Sequence, residues 1–150
     1  MGRQGVSGQS CWSCGCRDMR SLILLERVGV PPGEKGHDIG YSHLAVFACP
    51  ACSGGQVEKR DHDCFDFEEV WDQYEWCVLD PPGMRQLADA VRACRRPLDP
   101  ECRCAVHEAL RASCRALPSS YWSSSLEADS HVHRVSVVVE GGRPVVRLVP

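Results

Sequence analysis

The side chains best suited to chemistry in this chain are cysteines at short spacing. Cys11 and Cys14 lie in CWSCG and Cys49 and Cys52 in FACPACSGG, each pair separated by two residues. A tight Cys-x-x-Cys turn aims both sulfurs at one point and supplies half of a tetrahedral metal shell. The 34 residues between Cys14 and Cys49 are enough for two strands and their loop. Two such turns meeting at one end of a hairpin would complete the shell, with Cys16 as a competing sulfur beside Cys14.

A second constellation has the pattern C-x7-C-x-C-x2-H: Cys94, Cys102, Cys104 and His107. Cys104 and His107 are one helical step apart, and a thiolate near a helix N-terminus gains from the partial positive charge there. Three sulfurs and one imidazole form an accepted zinc shell. Cys94 also continues the apolar stripe of Met84, Leu87 and Val91, as a core thiol would. Two readings therefore stand for this group, a second zinc site and a set of buried thiols.

The other sulfurs and imidazoles are less well placed. His62 near Cys64 could serve a cysteine nucleophile, but the acids around them oppose thiolate formation. Cys77 and Cys114 have no partner at short spacing. His131 and His133 share one face of an expected strand and read as solvated.

Composition narrows the setting. With 43% hydrophobic and 25% charged residues, the 150-residue chain has an ordinary globular balance. MGRQGVSGQS lacks the apolar run of a signal peptide, and no segment nears the ~20 apolar residues of a membrane span. A cytoplasmic protein without a membrane partner is expected. In that reducing compartment, 11 cysteines favour metal ligation and core thiols over a disulfide framework. The net charge of −3 is uneven, at +1 over 1–53, −7 over 54–80, +3 over 81–120 and 0 over 121–150. The acidic segment repels phosphate, and the chain lacks the basic excess of a typical nucleic-acid binder.

The elements that must position these groups follow from pattern. Ile23, Leu24 and Leu25 mark a buried strand, YSHLAVFA a second strand leading into Cys49, and residues 54–60 a short third strand returning. Between 64 and 80, Phe67, Val70, Trp71 and Tyr74 fit helical spacing with Asp66 and Glu69 as a capping pair, while Tyr74, Trp76 and Val78 alternate. The reading is a short helical turn and then a strand. Asp80 can cap a helix opening on Pro81 and Pro82, and Asp99 with Pro100 is expected to open another that carries Val106, Leu110 and Leu117. Residues 119–125 read as a polar linker, and Gly141-Gly142 joins two β-branched runs as a hairpin.

Cys-Trp-Ser-Cys-Gly and Cys-Pro-Ala-Cys resemble the two knuckles of the zinc-ribbon family, over roughly the first 60 residues. Ser53 departs from the glycine often found in the second knuckle. Rubredoxin knuckles are similar and would imply iron, but the longer spacing and the extra domain disfavour them. The resemblance implies a structural zinc in a module that contacts proteins or nucleic acids. The fold class expected is α+β, with a zinc-ribbon-like antiparallel sheet over 1–80, a helical hairpin over 81–118, and a linker with a C-terminal β-hairpin over 119–150, together one compact unit.

The functional reading is a non-enzymatic zinc protein acting in protein–protein recognition. Its partner surface is the acidic, aromatic stretch from Asp61 to Asp80, with Glu68, Glu69, Trp71 and Asp72 as contact residues. Core packing of those rings is the competing explanation. One alternative is nucleic-acid binding through Arg85, Arg92, Arg95, Arg96, Arg103, Arg111 and Arg115. The other is an enzyme using a zinc with an open position or a reactive cysteine.

Overall fold

The structure, a computed structural model, describes residues 10–29, 40–64, 70–118, 123–124 and 133–149. Strands β1 (Arg20–Val28), β2 (Gly40–Ala48), β3 (Gly55–Cys64) and β4 (Val70–Leu79) form an antiparallel meander. Helices α1 (Pro81–Val91) and α2 (Ala105–Arg115) follow. After the two-residue strand β5 (Ser123–Ser124), the hairpin of β6 (Arg134–Glu140) and β7 (Arg143–Leu148) completes an α+β fold. The sheet order is β1-β2-β3-β4-β6-β7, with β5 also on β4. The β4–β6 pair is parallel and joins Val78 and Leu79 to Arg134 and Val135.

Strand alternation divides the side chains between two faces. Leu44 and Val46 of β2 point into the main core, where they meet Leu87 of α1, Leu110 of α2 and Val137 of β6. Ala45 and Phe47 point the other way and pack with Cys11, Met19 and Cys49 in a second, smaller cluster. On this second face Tyr41 Oη lies 2.8 Å from His43 Nδ1, and His43 Nε2 lies 2.9 Å from the fully buried carboxylate of Glu58.

Both outer strands are blunted against further pairing. On β7, Pro144 has no N–H to offer, and Val146 N–H donates to Ser113 Oγ at 3.1 Å. On β1, Leu24 N–H donates to the Pro97 carbonyl at 2.8 Å. The β1–β2 register slips between Ser21 and Ile23 and again between Leu24 and Glu26, so the ladder around Leu24 is broken on both sides.

Two expectations are corrected. Residues 70–79 are strand throughout, because β4 pairs with β3 along its whole length from Val70 opposite Cys64 to Leu79 opposite Gly55. That ladder overrides the helical spacing of Val70, Trp71 and Tyr74. The expected capping pair Asp66 and Glu69 lies outside the described residues. The second helix opens at Ala105 rather than at Pro100, since Asp99 Oδ1 accepts from Glu101 N–H at 2.9 Å within a turn and Cys104 takes the N-cap. The first helix follows its signals: Asp80 Oδ1 accepts from Gly83 N–H at 2.8 Å, with prolines in the first turn. Gly141 and Gly142 take φ values of +58° and +76°, as a type I′ hairpin turn requires.

Candidate metal centres

β1 begins beside the end of β2, with Arg20 opposite Ala48, so the turn before β1 and the turn between β2 and β3 meet at one end of the sheet. The two turns share a backbone design. Cys11 O accepts from Gly15 N–H at 2.7 Å, and Cys49 O accepts from Ser53 N–H at 3.1 Å. Cys11 N–H donates to Cys16 O, and Cys49 N–H donates to Gly54 O, both at 2.8 Å. The residue after each second cysteine is left-handed, Gly15 at φ +78° and Ser53 at φ +66°. The second glycine of FACPACSGG is explained by packing: a Cβ at Gly55 would lie 2.2 Å from Phe47 O and 2.8 Å from Met84 Sδ.

These turns bring Cys11, Cys14, Cys49 and Cys52 together, with all four sulfurs within 4.8 Å of one another. Cys11 Sγ is 3.7 Å from Cys52 Sγ, and Cys14 Sγ is 3.5 Å from Cys49 Sγ. A tetrahedron of sulfurs bonded to zinc at about 2.3 Å has edges of about 3.8 Å. The separations therefore suit a four-sulfur ion site and are far too long for a disulfide, whose sulfurs lie about 2.05 Å apart. Cys16 stands outside the group, its Sγ accepting from Asp18 N–H at 3.4 Å.

The second constellation also converges. Cys94, Cys102, Cys104 and His107 place their ligand atoms within 4.8 Å of one another. Cys94 Sγ is 3.8 Å from Cys102 Sγ, and His107 Nδ1 is 3.3 Å from Cys94 Sγ and 3.4 Å from Cys104 Sγ. Cys104 has two roles, since its sulfur also caps α2 by accepting from His107 N–H at 3.4 Å. His107 Nε2 donates to Leu24 O at 3.1 Å, which leaves the Nδ1 lone pair facing the three sulfurs. All positions in both groups are protein atoms, so a four-coordinate ion in either has no open site.

Arg111 secures the turn that carries these ligands. Its side chain is buried; Nη2 donates to Pro100 O at 2.6 Å and Cys102 O at 2.7 Å, and Nε donates to Leu25 O at 2.7 Å. The same guanidinium pairs with Glu108 at 3.1 Å. Sequence reasoning groups Arg111 with arginines free to meet phosphate, and its burial corrects that. Its position four residues after His107, on one helical face, is the signal that marks it.

The thiols of each group differ in acidity. Burial pushes Cys11 up to about 12 and Cys94 up to about 11. At Cys49 burial also acts upward, but the N–H groups of Cys52 and Ala51 and the neighbouring thiols outweigh it and bring the value to about 7. At Cys104 burial is outweighed by the N–H and ring of His107 and by Cys94 and Cys102, giving about 6. Each group therefore has one sulfur poised to bind as thiolate near neutral pH.

The remaining candidates are dispersed. Glu68, Glu69 and His131 lie outside the described residues, whereas Trp71 and Asp72 lie on β4. His62 is buried on β3, and His133 precedes β6, its carbonyl accepting from Val78 N–H at 3.0 Å. Cys77 and Cys114 are fully buried in the main core. Among the arginines, Arg92 pairs with Asp89, Arg96 with Asp99, Arg103 with Glu108 and Arg115 with Glu26. Among the described residues, no helix is long and apolar enough to cross a membrane.

Fold and site together define an α+β protein with two groups of side chains able to hold a metal ion. No family model, curated protein or solved structure matches the chain.

Proposed function

We propose that this is a zinc protein whose metal is structural and whose task is to bind another protein. The observation that carries the zinc assignment is the pair of complete four-ligand groups, one of four cysteines and one of three cysteines with a histidine, each closed by protein atoms. Sulfur-rich tetrahedral shells select zinc over the harder divalent ions, and closure suits stability rather than catalysis. The matched hydrogen bonds and left-handed residues of the two knuckles support the zinc-ribbon resemblance for the N-terminal unit.

Protein recognition is assigned to the acidic stretch from Asp61 to Asp80. Its support is the charge of −7 over residues 54–80, interleaved with aromatic rings, which would steer a basic partner. Nucleic-acid binding has less support, because five of the seven arginines in the helical region are engaged in ion pairs, Arg111 among them. Charge reversal at Glu68, Glu69 and Asp72 tests the assignment. The variant should keep its zinc and its circular dichroism but lose salt-sensitive capture of a basic protein partner; undiminished capture would place the contact surface elsewhere.

A further inference from the structure

The second centre is seated on β1, and β1 also packs against the first. Leu24 is where the two meet. Its carbonyl accepts from His107 Nε2, its N–H donates to Pro97 in the ligand-bearing turn, and its side chain packs on the cluster containing Cys11 and Cys49. We propose that the two centres load as one linked unit, in which an ion held by the three cysteines and His107 raises the affinity of the four-cysteine group through Leu24. This rests on the reading that both groups hold zinc.

The link has a physical basis in how weakly the sheet itself holds Leu24. Register slips on both sides leave Ile23 and Leu24 as a two-residue island of regular pairing with β2. The position of the Leu24 backbone then depends also on what grips it from the outer edge. An ion on His107 Nδ1 keeps the ring proton on Nε2 and the ring in place, so the bond to Leu24 O persists. Without the ion, the ring is held only by its packing and by this one bond, so its grip on Leu24 O weakens. Arg111 moves the neighbouring carbonyl in the same sense, because one guanidinium holds Leu25 O together with Cys102 O and Pro100 O. Emptying the second centre therefore loosens the strand against which the Cys11 and Cys49 thiols pack. Because linkage is reciprocal, filling the first centre must favour the second by the same factor.

A thermodynamic cycle on the full chain tests this. Zinc affinity of the four-cysteine group is measured by chelator competition in wild type, Cys102→Ser, Leu24→Ala and the double variant. Cobalt(II) spectra identify which group is filled, since four-sulfur and three-sulfur-one-nitrogen shells absorb differently. Cys102→Ser changes neither Leu24 nor a residue that bonds to it, yet by emptying the second centre it should weaken the four-cysteine group about tenfold, within the usual range of coupling between sites. In the Leu24→Ala background the same substitution should matter less than about twofold. A four-cysteine affinity unchanged by Cys102→Ser, with one zinc still bound, overturns the linkage and leaves the zinc reading standing. A wild-type chain that binds no zinc overturns both. If Cys102→Ser does not fold, amide exchange of wild type at one and two zinc ions per chain decides. The ion that fills the second centre, recognised by its cobalt(II) spectrum, should slow exchange in both knuckles, and protection confined to residues 92–107 overturns the proposal.

Discussion

Replacing Arg111 with lysine keeps the charge but removes the fork that ties α2 both to β1 and to the ligand turn. The guanidinium reaches Leu25 O on β1 and both Pro100 O and Cys102 O in the ligand turn, all within 2.6–2.7 Å. An ammonium in the place of Nη2 can still donate to Pro100 O and Cys102 O but does not reach Leu25 O as well, so the bond that ties the ligand turn to β1 is lost. At about 1.5–3 kcal/mol for a bond to a charged donor, Arg111→Lys should cost about 1.5–3 kcal/mol. That is an appreciable share of the roughly 5–15 kcal/mol that holds a domain of this kind folded. The assay is urea unfolding at saturating zinc, with the slope compared between variants to confirm that the folded state is unchanged in compactness. The metal should also leave the second centre at lower chelator concentration than in wild type. A loss below about 1 kcal/mol with chelator resistance intact would refute the argument that this side chain builds that centre.

Three further outcomes are expected. Gly55→Ala should cost about 3 kcal/mol or abolish folding in a thermal melt, because its Cβ would press on a backbone carbonyl 2.2 Å away. Ser53→Gly should stabilise the chain by about 0.5–1 kcal/mol, measured by urea unfolding, since it relieves a left-handed residue at φ +66°. Burial pushes Cys77 and Cys114 up to about 12 from the ordinary thiol value of 9.0, so their contribution to stability is complete below about pH 9 and is lost as pH rises towards 12. Cys114→Ala should flatten that alkaline decline in a pH series of melts, and an equally steep decline would rule the thiol out as its source.

What the sequence revealed is what short-range geometry decides. Two-residue spacing between cysteines dictates a knuckle wherever the chain goes, and the strands expected around Cys49 and Cys52 are β2 and β3. Asp80 with its prolines and Gly141-Gly142 likewise act within four residues. The misread boundaries are places where a distant partner prevailed. Asp99 and Pro100 have the chemistry of a helix start, but the turn they form delivers Cys102 to the second group and leaves the cap to Cys104. Val70, Trp71 and Tyr74 have helical spacing, yet a ten-residue ladder with β3 holds them extended. The roles of Arg111 and Leu24 were not legible because they depend on contacts more than eighty residues apart in the chain, between α2 and β1.

Metal content per chain reports at once whether both thiolate-rich shells hold zinc. Full-length protein, purified without added metal and analysed by plasma mass spectrometry with a parallel thiol titration, should contain two zinc ions per chain. His107→Ala should lower this to one, and chelator should lower the melting temperature of wild type as the ions leave, because folding and binding are coupled in such sites. Protein without zinc, with freely titrating cysteines at both groups and a melting temperature indifferent to chelator, would mean that neither group is a metal site.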